Sequence, residues 1–184
     1  ISAAEQVCLQ NGFSSAHATF IEPDQVPLFE EAEWLLRTDI QFHWVNQGFA
    51  SFDDFLATLT SRKRKDLRKE RAAAQEGLEI VRLSGGHIRP HHWDAFWHFY
   101  QDTGARKWGQ PYLTRAAFDL LGERVGEKIV LVLALEEGEP IAGALNFIGG
   151  DALYGRYWGC TRQVRFLHFE LCYYQAIDIA IEQG

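Results

Sequence analysis

Residues 153–184 read LYGRYWGCTRQVRFLHFELCYYQAIDIAIEQG, and the way this stretch folds decides how the rest of the chain is arranged. Its first six residues alternate. Leu153, Gly155 and Tyr157 face one way and Tyr154, Arg156 and Trp158 the other, the period-two pattern of a strand. Gly159 ends it. After a short loop carrying Arg162 and Arg165, apolar residues recur at Leu167, Leu171, Tyr174, Ile177 and Ile181, on one face of a helix that Gly184 closes. Strand, cationic loop and helix N-terminus in succession make a place for an anion or a developing negative charge. His168 and Glu170 fall in the first turns of that helix.

The strand has partners just upstream. Lys128 to Glu136, KIVLVLALE, is a continuous apolar run of the kind buried on both faces. Glu137-Gly138-Glu139-Pro140 turns into a strand from Ile141 to Ile148, and Gly149-Gly150-Asp151 turns into Leu153 to Trp158. Short hairpin loops predict an antiparallel meander, with Ile129, Leu131, Leu133, Leu145 and Phe147 in its core. Ser51 as N-cap, followed by Asp53 and Asp54, predicts one long helix to about Gln75, stopped by Gly77. Leu78 to Leu83 reads as a strand, His91 to Thr103 as a helix, and Thr114 as the cap of another helix ending near Gly122 or Gly126. The first 48 residues predict a helix over 2–11, a strand from His17 to Glu22, a helix from Val26 to Leu36 with Pro27 in its first turn, and a strand from Gln41 to Gln47.

AAEQVCLQNG at 3–12 looks like QAIDIAIEQG at 175–184, which suggests an internal repeat. Residues 1–48 then close one unit and residues 49–184 open a second. The expected fold is α/β: a mixed sheet containing the antiparallel meander, flanked by helices, in parts of two tandem units. An early strand is expected to pair with the edge strand 153–158, within the chain or across a homodimer. The alternative is that residues 1–48 pack as a separate half-domain. The sequence contains no Met and begins and ends in helix-like stretches, so it reads as a fragment of a longer protein.

At 184 residues with 47% hydrophobic content the chain builds a globular core rather than a disordered segment. No apolar run is long enough for a membrane span. Cys8, Cys160 and Cys172 show no metal spacing and read as reduced thiols of a cytoplasmic protein. The net charge is −7, yet Ser61 to Arg71, SRKRKDLRKER, holds seven basic and two acidic residues. Lys63, Arg64, Lys65, Arg68 and Arg71 therefore form a candidate polyanion-binding face, with Arg64, Arg68 and Arg71 at helical spacing. A solvated helix face explains the same residues. Lys107, Trp108 and Tyr112 sit in a loop with Gly109 and Pro111 and are candidate lip residues for a substrate, or simple loop packing. Arg156, among aromatics and expected to be buried, needs an anionic partner, either a protein carboxylate such as Glu170 or a substrate. Trp158, Arg162 and Arg165 complete the candidate substrate-binding set. His168 or Glu170 is the candidate base. Four histidines between 87 and 98 lack metal-site spacing, so no metal is expected.

The element order resembles the GNAT acyltransferase superfamily, and two copies in tandem resemble Fem-type aminoacyl ligases. SRKRKDLRKER (61–71), KWGQPYL (107–113), GALNFIGGDALYGRYWG (143–159) and LHFELCYYQAI (167–177) are similar to a family of N-acyltransferases described as peptidoglycan biosynthesis or recognition proteins. The resemblance implies acyl transfer, with aminoacyl transfer as one form, to an amine acceptor such as a cell-wall precursor. The donor is an acyl-CoA or an aminoacyl-tRNA, with no tightly bound cofactor expected and tRNA as a partner in the second case. Acyl-CoA users carry a glycine-rich loop before the last helix. Here CTRQVRFL has no glycine, which suits another donor or phosphate binding through arginine side chains. The alternative is a non-catalytic module that recognises a cell-wall precursor or nucleic acid through the basic helix.

Overall fold

A computed structural model describes residues 1–106 and 111–184, so Lys107 and Trp108 lie outside the described residues. The chain divides into two compact units, Ile1–His43 and Trp44–Gly184.

The first unit holds α1 (Ser2–Asn11) and α2 (Val26–Glu31). Gly12 takes the left-handed conformation at φ 66°, and the Phe13 N–H closes α1 on the Cys8 carbonyl at 2.9 Å. The strand expected from His17 to Glu22 does not form. Phe20 has φ 57°, which no strand residue adopts. No strand forms over 41–47 either, and Phe42 and Val45 are exposed. An alternating pattern becomes a strand only where a neighbour supplies the ladder. Neither segment is a strand, so neither supplies the expected ladder to residues 153–158 within the chain. α2 also stops short of Leu36.

The second unit begins with α3 (Phe52–Ala57) and α4 (Ser61–Gln75), where one long helix was expected. Ser51 caps α3, as its spacing predicts. The break comes at Thr58 and Thr60. The Thr58 hydroxyl donates back to the Phe55 carbonyl at 2.7 Å, and Thr60 becomes the N-cap of α4, accepting from the Lys63 N–H. Both are the local competitions that make threonine a poor mid-helix residue. Then come β1 (Glu79–Leu83), α5 (Pro90–Arg106) and α6 (Arg115–Val125). The meander follows as β2 (Ile129–Glu136), β3 (Glu139–Ile148) and β4 (Leu153–Cys160). The sheet order is β1-β2-β3-β4. All of its pairings are antiparallel, so the α/β fold stands as expected but the sheet is not mixed.

Helices cover both faces. Trp93, Phe96 and Phe99 of α5 and Phe118 of α6 pack with Ile129, Leu131, Leu133 and Leu145 on one face, and Phe147 packs against that cluster. Val130, Val132, Ala134, Ala142 and Ala144 meet Leu167, Leu171 and Ile179 on the other. Two-sided burial is why KIVLVLALE carries no polar alternation. The last helix starts as α7 (Leu167–Phe169), passes through a π turn at Glu170–Tyr174, and continues as α8 (Gln175–Gln183). The wider turn advances the buried face. Gln175 and Ile179 are buried there, whereas Ile177 and Ile181 are only half-buried.

α5 lies against β4 at Gly159, where an added Cβ would land on the Phe99 backbone carbonyl. Gly159→Ala must push α5 off the strand and should destabilise the fold by about 1–3 kcal/mol, read as a fall in the urea midpoint. An unchanged midpoint would contradict this packing.

Candidate functional site

The register between β3 and β4 slips once. Leu145 faces Tyr157 and Asn146 faces Gly155, so Arg156 is an extra residue in β4, a β-bulge. The strict alternation expected for this strand therefore holds only on either side of Arg156. Tyr157 packs on the α5–α6 face with Leu145 and Phe147, while Trp158 and Leu153 pack on the α7–α8 face. The bulge lets Arg156 and Tyr157, neighbours in sequence, line one groove. Leu113, Ala117, Leu120, Leu121, Arg124, Val125 and Phe147 form the rest of its wall, around a volume of about 630 Å³.

One corner of this groove is a tyrosine cluster. The Tyr100 hydroxyl accepts the N–H groups of Tyr112 and Leu113 at 3.1 and 3.2 Å. The Tyr112 and Tyr157 hydroxyls share a hydrogen bond. Arg156 donates to the Tyr112 hydroxyl at 3.2 Å and lies 4.8 Å from the centre of the Tyr157 ring. Burial, reinforced by the bond to Tyr112, pushes the Tyr157 hydroxyl up to about 12 against the opposing pull of Arg156. At neutral pH this hydroxyl keeps its proton. Arg156 is exposed on the edge strand, not buried, and its partners are a hydroxyl and a ring face rather than Glu170.

Glu170 is elsewhere, at the start of the π turn. Its side chain is 0% exposed. Arg71 reaches both of its oxygens at 3.1 Å, and the Gln75 and Gln175 amides donate at 2.8 and 2.6 Å. Arg71 also binds Asp178 at 2.7 Å. Arg82, from β1, reaches Gln175, Asp178 and Glu182. Burial alone would lower the Arg71 pKa. The bonds and charges of Asp178 and Glu170 outweigh it, and the pKa rises. The guanidinium stacks 4.3 Å from the Phe52 ring centre. Arg71 thus turns inward, away from Arg64 and Arg68, and Glu170 is a fully engaged partner of three side chains.

His168 is exposed and stands edge-on to Trp158, with ring centres 5.1 Å apart. This pair lies on the face of the sheet opposite Arg156 and Tyr157. Arg162 pairs with Glu136 at 2.7 Å, and Arg165 lies over the Phe166 ring at 4.5 Å. On α4, Arg68 pairs with Asp53 at 2.7 Å and Arg64 reaches the Ala57 carbonyl at 3.3 Å. Arg64, Lys65, Arg68 and Lys69 line a shallow concavity of about 320 Å³ with Ser61 and Ala72; Lys63 follows Thr60 at the N-terminus of the same helix.

The structure thus joins Tyr112 to Arg156, Trp158 to His168, and Arg71 to Glu170, and keeps these three sets apart. Sequence reasoning passed over Tyr157, Tyr100 and Arg124 of the groove and Arg82 of the ion-pair cluster. A cation inside the apolar run EIVRL was the one available signal for Arg82; Arg124 gave none. Among the described residues no group of His, Cys, Asp and Glu side chains comes together to hold a metal ion, and no helix is long and apolar enough to cross a membrane.

A protein-family model described as FemAB-like, peptidoglycan biosynthesis/recognition, matches residues 1–184, and the chain belongs to that family. No curated protein gives a match.

Removing the Glu170 carboxylate strands Arg71 in a desolvated site. Glu170→Ala should cost about 3–5 kcal/mol of unfolding free energy, measured by urea denaturation. A loss below about 1 kcal/mol would show that the cluster is not the anchor it resembles.

Proposed function

We propose that this FemAB-like protein transfers an acyl group, an aminoacyl group among the candidates, to an amine of a cell-wall precursor. The observation that carries the reading is the bulge at Arg156. It sets a guanidinium and the hydroxyls of Tyr112 and Tyr157 at one corner of an apolar groove. Attack of an amine on an acyl carbon builds negative charge on the carbonyl oxygen, and fixed N–H and O–H donors are what stabilises it. The same groups hold the substrate in place. No covalent intermediate is needed. His168 stands beside Trp158 on the opposite face of the sheet, out of reach of an amine in this groove, so in this scheme the amine's proton leaves with the departing CoA thiolate or tRNA 3′-oxygen. Glu170, closed off by Arg71, Gln75 and Gln175, is assigned to holding the helix rather than to moving a proton. In this scheme the units 1–48 and 49–184 are parts of two GNAT-like units, and the reaction takes place in the cytoplasm.

Turnover tests this. With a soluble cell-wall precursor as acceptor and either acyl-CoA or aminoacyl-tRNA as donor, product is followed by mass spectrometry. Arg156→Gln should lower kcat about 10²-fold and raise KM for the precursor, whereas His168→Gln should leave both unchanged. No product from either donor would refute the transfer reading.

The concavity on α4 favours a second reading, recognition of a polyanion. Arg64, Lys65, Arg68 and Lys69 are gathered on its outer face. Binding to tRNA should fall steeply with salt, and replacing Arg64, Lys65 and Arg68 by Gln should flatten that dependence. Arg71→Gln should leave the salt slope alone and weaken the fold instead. Salt-insensitive binding by the unsubstituted protein would leave α4 as a solvated face.

A further inference from the structure

We infer that the groove beside α6 takes the aliphatic chain of a medium-chain carboxylate, with the carboxylate held by Arg156 and the Tyr112 hydroxyl. The inference rests on the reading of this groove as the substrate site and deepens it by naming the acid from which the transferred acyl group derives, the free carboxylate being its unactivated form. Leu113, Ala117, Leu120, Leu121, Val125 and Phe147 give the wall its apolar surface. Leu120 and Val125 remain 52% and 38% exposed, so apolar surface is left to water along the groove. Its volume of about 630 Å³ falls within the range of about 300–1,000 Å³ typical of small-molecule sites.

The polar groups on the wall narrow the class. Arg124 and Arg156 both line the groove, and among the described residues no acidic side chain does, in a protein whose net charge is −7. Neither arginine has a carboxylate partner among the described residues. Arg156 has only a hydroxyl and a ring face, both neutral, so an arriving anion gains charge-assisted hydrogen bonds without displacing an ion pair. A guanidinium and a hydroxyl side by side present two donors to the two oxygens of one carboxylate. A cationic amphiphile meets two like charges there.

Calorimetric titration of the protein with octanoate, decanoate and dodecanoate, each kept below its micelle concentration, tests the inference. One-to-one binding is expected, with affinity rising about two- to fourfold per methylene and acetate failing to bind. Dodecyltrimethylammonium should bind at least tenfold more weakly than dodecanoate. Arg156→Gln should weaken dodecanoate at least fivefold, and Ala117→Trp, which fills the groove, should abolish binding at an unchanged melting temperature. The chain-length series needs no substitution, so the test stands even where a variant fails to fold. Equal binding of the cationic and anionic chains, absence of a chain-length trend, or unaltered binding by Arg156→Gln would overturn the inference. Tighter binding of dodecyl phosphate would overturn the carboxylate assignment. Turnover on a precursor without chain binding sinks this inference alone. Chain binding without turnover sinks only the acyl-transfer reading.

Discussion

A carboxylate with no access to water must be matched, and the match made at Glu170 organises much of the second unit. An isolated buried carboxylate costs several kcal/mol. Here Arg71 and Gln75 come from α4 and Gln175 from α8. Arg82 then ties β1 to the same helix through Gln175 and Asp178. The consecutive elements α4 and β1 are thereby fixed against the last helix, far away in sequence. The π turn belongs to this arrangement. It sets Glu170 and Gln175, five residues apart, side by side at 2.6 Å, which a regular helix does not do. The cluster also decides which cations of α4 are available. Arg71 is committed inward, and Arg64, Lys65, Arg68 and Lys69 are left on the outer face.

The second constraint is local. One extra residue in β4 turns Arg156 onto the face of Tyr157 and opens the ladder at an edge strand. Bulges re-aim side chains and blunt edges, and both effects meet here. The donor corner of Arg156, Tyr112 and Tyr157 exists because β4 is irregular, and its tyrosines are held because Tyr100, anchored in the core by Phe118, receives the backbone of the incoming loop.

Much of the fold was legible because the signals were strong and local. KIVLVLALE has the continuous apolar character that only two-sided burial tolerates, and the Glu137-Gly138 turn brings positive φ where a tight hairpin needs it. The failures were long-range. GRYW alternates equally well with or without an extra residue, so the bulge had no sequence signature. Leu167, Leu171 and Tyr174 fit a regular helix, and the π turn appears only once Glu170 has partners to reach. The pattern at 17–22 lacked a strand to pair with. Arg71 shares its spacing with Arg64 and Arg68, and nothing but the position of Phe52 and Glu170 shows that it turns inward. For the site, Tyr112 and Arg156 were named from composition, but that they meet each other, and that Tyr157 joins them, required the fold.

The central claim is that the groove between α6 and the bulged strand is where substrate binds. Methyl-labelled NMR during titration with a soluble, peptide-bearing cell-wall precursor tests it most directly. The account predicts shifts concentrated at Leu113, Leu120, Leu121 and Val125, accompanied by Arg156 side-chain signals. Shifts confined to α4 or to the surroundings of His168, with the groove methyls unmoved, would contradict it.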